Sequence, residues 1–187
     1  MDNSDFILNE TLRSFDITLK TTFDLFSYKK IDEGTKLLIE TMQVPTNGTC
    51  LDLGCGYGVV GITIAKINPQ LKVVFVDRDF VAIEYTKMNC LTNGVTDYEA
   101  LLSNGFSHIQ NKSFNMIASN LPTHIAKEAL EKMVKEAKSH LVKGGEMYVV
   151  TVNRLKPYIG RVLKATFGNC EVVAHNNDYS ISLAVSN

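Results

Sequence analysis

Short apolar runs and longer stripes of apolar residues at helical spacing take turns along this chain. Thr35, Leu37, Leu38, Ile39 and Met42 predict a helix over 33–42, with Asp32 as its cap. An apolar run then closes on Asp52, glycines fall at 54, 56 and 58, and a helical pattern runs through Ile64 and Ala65 to Asn68-Pro69. Residues 71–77 form a β-rich run ending in Asp77. Residues 80–91 return to helical spacing, with Val81, Tyr85 and Met88 beside Phe80, Ile83 and Leu91, until Asn93-Gly94 breaks them. Two short runs, 98–103 and 114–119, end at Asn104-Gly105 and at Asn120. Ile125, Ala129, Met133, Ala137 and Leu141 predict an amphipathic helix over 125–142, ended by Lys143-Gly144-Gly145. A buried strand over 146–152 follows. Next comes a helix with Leu155, Ile159, Val162 and Phe167 on one side, stopped by Gly168-Asn169. Strands at 170–174 and 180–185 close the chain.

Strand alternating with helix predicts an α/β domain with a parallel sheet and helices on both faces. The final two strands are separated only by residues 175–179, so they form a hairpin and the last strand runs antiparallel. At 187 residues the chain suits one domain, with 49–187 as its core. Residues 1–48 are expected to pack over the mouth of a site. Within them, Phe23 to Tyr28 read as a loop or short strand rich in aromatics.

The 45% hydrophobic content is ordinary for a globular protein. No basic segment with an apolar core opens the sequence, and no apolar stretch approaches the ~20 residues that span a bilayer, so a cytoplasmic protein without a membrane partner is expected. Cys50, Cys55, Cys90 and Cys170 contain no C-x-x-C pair, which argues against zinc and a disulfide framework; no metal is expected. Net charge is −1, but it is unevenly spread. Residues 1–123 hold ten Lys/Arg against fourteen Asp/Glu, whereas 124–164 hold nine against four. That second stretch, with Lys127, Lys135 and Lys138, reads either as a solvated helix face or as a face that contacts phosphates.

The densest chemistry lies at residues 50–65, CLDLGCGYGVVGITIA. Alternating glycines strip a strand-to-helix turn of side chains, so that backbone N–H groups can approach a ligand. Asp52 adds a carboxylate just before the turn. A donor surface beside an anion suits a cationic, nucleotide-like molecule. A dinucleotide is the competing ligand, since G-x-G-x-x-G falls at 56, 58 and 61, but Asp52 would repel a pyrophosphate. In open parallel sheets, ligands collect at the carboxyl ends of the strands. Asp77 stands at one such end, where its carboxylate can take two ribose hydroxyls, with Asp79 as the cap of the next helix.

This turn resembles motif I of S-adenosylmethionine (SAM)-dependent methyltransferases. The resemblance extends to FSYKKIDEGTKLLIE before it and VLKATFGNCEVV after it, which look like segments of the bacterial ribosomal RNA guanine-N2 methyltransferases. It implies a Rossmann-like, seven-stranded, mostly parallel sheet with the last strand reversed, and SAM as cofactor. The cofactor contacts it implies are Phe26, Ser27, Asp52, Gly54, Cys55, Gly56, Tyr57, Gly58, Asp77, Arg78, Ser103 and Asn104. Relatives often carry an acid where Asn104 stands, to accept from the adenine amine. Asn104 keeps an acceptor without the charge. A plain Asn-Gly turn accounts for the same residues.

Asn120-Leu121-Pro122-Thr123 resembles the N-P-P-Y motif of enzymes that methylate planar amines. The implied roles make Asn120 catalytic and place Asn120, Leu121, Pro122 and Thr123 against substrate. An amine conjugated to a ring is a poor nucleophile. Accepting its N–H groups at the Asn oxygen and the next carbonyl would aim its lone pair at the methyl donor. Leu121 and Thr123 depart from the motif. The expected activity is methyl transfer to an exocyclic amine of an RNA base, guanine N2 of ribosomal RNA, with RNA as partner. The alternatives are a methyltransferase for a protein amide or small metabolite, and a SAM-binding protein without catalysis.

Overall fold

The structure is a computed structural model, and it describes residues 5–121 and 126–187. The predicted alternation builds a seven-stranded sheet. Its strands are β3 (Thr49–Leu53), β4 (Lys72–Asp77), β5 (Tyr98–Leu102), β6 (Phe114–Asn120), β7 (Leu141–Val152), β8 (Glu171–His175) and β9 (Tyr179–Val185). They lie in the order β5-β4-β3-β6-β7-β9-β8. Neighbours from β5 to β7 pair in parallel, while β9 runs antiparallel to both β7 and β8. The α/β class and the single reversed strand are as expected from the element order.

Successive residues of the central strands face opposite sides of the sheet, which explains their nearly continuous apolar runs. Cys50, Met116, Ala118, Tyr148 and Val150 join one core, which also holds residues of α1 (Glu33–Thr41), α2 (Val59–Ile67) and α3 (Phe80–Thr92). Leu51, Ile117, Met147 and Val149 join the other, with α4 (Lys127–His140) and α5 (Lys156–Phe167). Asp32 caps α1 as predicted, accepting from the Thr35 N–H at 3.0 Å.

Three elements differ from the expectation. Residues before α1 form a separate two-stranded hairpin, β1 (Phe6–Leu12) and β2 (Phe15–Thr21). Its turn places Arg13 and Ser14 at φ of 50° and 71°, a conformation usually left to Gly or Asn. Arg13 is held there by its guanidinium, which donates to the carbonyls of Ile39 and Met42 at the end of α1, each at 3.0 Å. Second, α4 ends at His140 rather than at the glycine pair, because Leu141 already pairs with Phe114 in the sheet. Residues 143–145 thus lie inside a bulged β7. Third, α3 buries Ile83 and Tyr85 but leaves Phe80 62% and Leu91 74% exposed.

The hairpin is sewn to α3 by two asparagines one turn apart. Asn93 accepts from the Thr18 N–H at 3.1 Å and donates to the Thr18 carbonyl at 2.7 Å. Asn89 does the same for Lys20, at 2.7 and 2.8 Å, and also donates to the Tyr57 carbonyl at 2.9 Å. Two side-chain amides thereby satisfy the free edge of β2 as another strand would.

Candidate functional site

Three neighbouring parallel strands end together at the site. They are β4 at Asp77, β3 at the glycine turn, and β6 at Asn120. The turn carries Gly54, Gly56 and Gly58 at φ of 75°, 55° and 92°, where an L side chain would be strained. A Cβ built at Gly54 or Gly56 meets nothing within 4 Å. Those two positions therefore border open space, and their glycines serve the backbone path of the turn.

Four N–H groups of the turn, those of Gly54, Cys55, Gly56 and Gly58, are taken up within the fold. Gly54 and Cys55 both donate to the Val76 carbonyl, at 2.8 and 3.0 Å, because the β3–β4 ladder continues one step past the strands. The Gly58 N–H closes on the Cys55 carbonyl at 2.9 Å. The Gly56 N–H donates to Asp77 Oδ2 at 2.9 Å, and Asp77 Oδ1 accepts from the Asp79 N–H at 3.0 Å. A carboxylate has about four lone-pair sites, so Asp77 retains acceptor capacity after both bonds.

Asp52 lies elsewhere than expected. It is 2% exposed, and its Oδ2 accepts from the Gly61 N–H at 2.8 Å, beneath α2. Burial pushes its carboxyl up to about 7, with the Gly61 bond opposing and the Asp77 charge adding to the rise. Its role is to tie the turn to the helix from below. Cys55 is likewise turned into the core, 7% exposed, with its thiol beside Thr86 and its pKa raised well above the usual thiol range by burial. Ser103 is 2% exposed, and its hydroxyl is spent on its own loop, donating to the Gly105 carbonyl at 2.8 Å and accepting from the His108 N–H. Leu121 is 3% exposed, with its side chain in the core. The side chains of Cys55 and Leu121 are thus turned into the core and that of Ser103 is spent on its own loop; packing decided their direction.

Arg78 and Asn104 are exposed beside Asp77 and at the end of β5. Two further residues, which periodicity had hidden among core positions, border the same ground. Phe80 lies three residues after Asp77, and Leu102, 45% exposed, pairs with Asp77 in the sheet. The signal that could have found Phe80 is a large apolar residue immediately after a helix cap, before the buried stripe begins.

The segment from 22 to 32 closes the other side. Tyr57, 4% exposed, donates its hydroxyl to the Ser27 carbonyl at 3.3 Å, joining this segment to the glycine turn. Burial and the charges of Asp32 and Glu10 raise the Tyr57 phenol, keeping it a donor. Ser27 sits at φ 57°, and its hydroxyl donates to the Lys30 carbonyl at 2.6 Å. Phe26 beside it is 71% exposed. A cleft of about 660 Å³ runs from Ser27 and Lys30 past Asp32 to Arg154 and Tyr179. Asn120 reaches Asp32 and Thr35 by hydrogen bonds of 3.0 and 2.9 Å. Pro122 and Thr123, together with His124 and Ile125, lie outside the described residues.

The basic stretch is split by the structure. Lys138 donates to the Thr166 carbonyl at 2.7 Å and lies over the Phe167 ring, so it fastens α4 to α5. Lys132, Lys135, Arg161 and Lys164 are exposed. Among the described residues no cluster of His, Cys, Asp or Glu could hold a metal, and no helix is long and apolar enough to cross a membrane.

With this geometry in view, five likenesses to known proteins bear on the chain. The profile of the methyltransferase small domain matches residues 16–182. Ribosomal RNA small subunit methyltransferase C of Hamiltonella defensa is 35% identical over 170 residues, covering 89% of this chain and 49% of that protein. The Cronobacter sakazakii protein of the same name is 36% identical over 174 residues, covering 91% and 50%. The chain thus spans about half the length of these curated relatives. A T. thermophilus 16S rRNA N2 methyltransferase, solved with AdoMet and guanosine, superposes with a TM-score of 0.89 at 23% identity, over 98% of this chain and 51% of that one. A precorrin-6y methyltransferase from Geobacter metallireducens shares the fold at a TM-score of 0.73 and 12% identity, over 89% and 93%.

Proposed function

The chain belongs to the methyltransferase small domain family, and from that premise we propose that it transfers a methyl group from SAM to an exocyclic amine of an RNA base, guanine N2 of ribosomal RNA. The observation that carries this reading is the alignment of three adjacent strand ends: Asp77, the glycine turn and Asn120. The open ground at Gly54 and Gly56, where a Cβ would meet no atom within 4 Å, fits a ligand that lies against the backbone. Asp77 keeps lone pairs for ribose hydroxyls, Asn104 offers an acceptor for the adenine amine, and exposed Phe80 and Leu102 supply apolar surface for a purine face. The naming of the curated relatives, and the guanosine held by the T. thermophilus structure, support the acceptor.

SAM, which Asp77 and the backbone at Gly54 and Gly56 would hold, would supply a methyl group from a cationic sulfur in exchange for one proton of the acceptor amine. The chain's own contribution is alignment and electrostatics. Asn120 Oδ1 accepts one amine N–H, which turns the lone pair toward the methyl group and is strengthened as charge develops on nitrogen. The test is methyl transfer from tritiated SAM to fractionated RNA, protein and small molecules, followed by nucleoside analysis. Label recovered as N2-methylguanosine is the expected result; label confined to protein or small molecules overturns the acceptor.

A further inference from the structure

We propose that Asp32 is a positioning residue for methyl transfer, which sets the side-chain amide of Asn120 with its oxygen toward the acceptor. This rests on the methyltransferase reading above and extends it to residues 88 positions apart in sequence.

An asparagine amide has two ends of the same shape, and only hydrogen bonding decides which faces a ligand. Here both hydrogens of Asn120 Nδ2 are taken on the α1 side. One goes to Asp32 Oδ2 at 3.0 Å and the other to Thr35 Oγ1 at 2.9 Å. A carboxylate only accepts, so the flipped amide would set Oδ1 against an anionic oxygen. That orientation is repelled, and Oδ1 is left as the end that can receive an amine N–H. The charge has a second effect: an amide whose N–H bonds to a carboxylate carries more negative charge on its oxygen, so the acceptor end is strengthened as well as aimed.

Asp32 is in turn held from two other elements. Its Oδ2 caps α1 through the Thr35 N–H at 3.0 Å, and its Oδ1 accepts from the Tyr179 hydroxyl at 2.9 Å, from the start of β9. Tyr179 comes this close because Gly34 lacks a side chain; a Cβ there would lie 2.6 Å from Tyr179 Cδ1. At 9% exposure, Asp32 is shielded enough for these bonds to resist exchange with water. Helix capping alone would require neither the tyrosine nor the asparagine.

Two substitutions separate positioning from capping. Serine caps helices well but is too short to reach Asn120 or Tyr179, whereas asparagine keeps the length and loses the charge. Asp32→Ser is expected to lower kcat by about 10²-fold, the usual scale for a misaligned reacting group. Asp32→Asn should recover much of that loss, to about tenfold below wild type, because neutral hydrogen bonds have roughly half the strength of charge-assisted ones. Melting temperature and SAM affinity should stay near wild type in both. Two readouts do not depend on turnover. Guanosine binding in the presence of S-adenosylhomocysteine should weaken about fivefold in Asp32→Ser, the worth of one hydrogen bond. The Asn120 side-chain 15N signal, identified by its loss in Asn120→Ala, should exchange its protons faster. Wild-type kcat and wild-type Asn120 exchange in a folded Asp32→Ser protein would overturn the proposal. A wild-type chain that methylates no guanine amine would instead overturn the functional reading, and the exchange measurement would still decide the Asp32–Asn120 link.

Discussion

Asp77 Oδ2 accepts the Gly56 N–H at 2.9 Å, so the acid at the end of β4 holds the glycine turn of β3 in place while keeping lone pairs for a ligand. On the proposed function, binding and turn geometry share one carboxylate. Asp77→Ala is expected to weaken SAM by about 1.5–3 kcal/mol, the range for hydrogen bonds to a charged group. Titration calorimetry checks this, and an unchanged dissociation constant would show that the ribose is held elsewhere.

Asn120→Ala removes the acceptor oxygen without touching the glycine turn. Methyl transfer should fall by about 10²–10³-fold, the scale seen when a single preorganised group is deleted from an active site. SAM affinity should be unchanged. Single-turnover kinetics beside equilibrium binding separate the two quantities, and equal losses in both would mean that Asn120 supports the cofactor site instead.

The exposed cations of α4 and α5 make a sharper test of RNA binding than the whole basic stretch, because Lys138 is spent on the Thr166 carbonyl. Reversing Lys132, Lys135 and Arg161 to Glu should weaken binding of an rRNA fragment and lower the salt slope by about 1 for each phosphate that is no longer neutralised. Folding should be retained. Filter binding across a salt series would count against this face if the slope stayed at its wild-type value.

Asp52 predicts how stability depends on pH. Its folded pKa is raised from 3.8 to about 7, so between those values the folded chain keeps a proton that the unfolded chain has lost. The stabilisation from this proton is greatest at low pH and is lost as pH rises through about 7. Asp52→Asn does not titrate and should be flat over the window, so its stability relative to wild type should grow from pH 5 to pH 8. Urea denaturation at the two values measures this, and a constant difference between the proteins would mean that Asp52 is ionised throughout.

The alternation of strands and helices, the reversed final strand and the caps at Asp32 and Asp79 were all legible in the residues, because each follows from local periodicity or a local hydrogen bond. The β1–β2 hairpin was not, since Arg13 and Ser14 hold a conformation that turn chemistry assigns to Gly or Asn, and what keeps Arg13 there is the distant end of α1. For the site, Asp77 and Asn120 could be placed from strand ends. The inward turn of Asp52 and Ser103 could not, because burial is a property of what packs above a residue. Asp32 and Thr35 escaped notice as partners of Asn120 for the same reason: nothing local joins them.

Asn89 reaches in two directions, to the Lys20 backbone of the hairpin and to the Tyr57 carbonyl of the glycine turn. A shortened chain starting at residue 22 would leave the amides of Asn89 and Asn93 facing water where a strand had been. The hairpin is thus a brace behind the glycine bend rather than an ornament at its margin, and loosening it would reach that bend through the amide of Asn89.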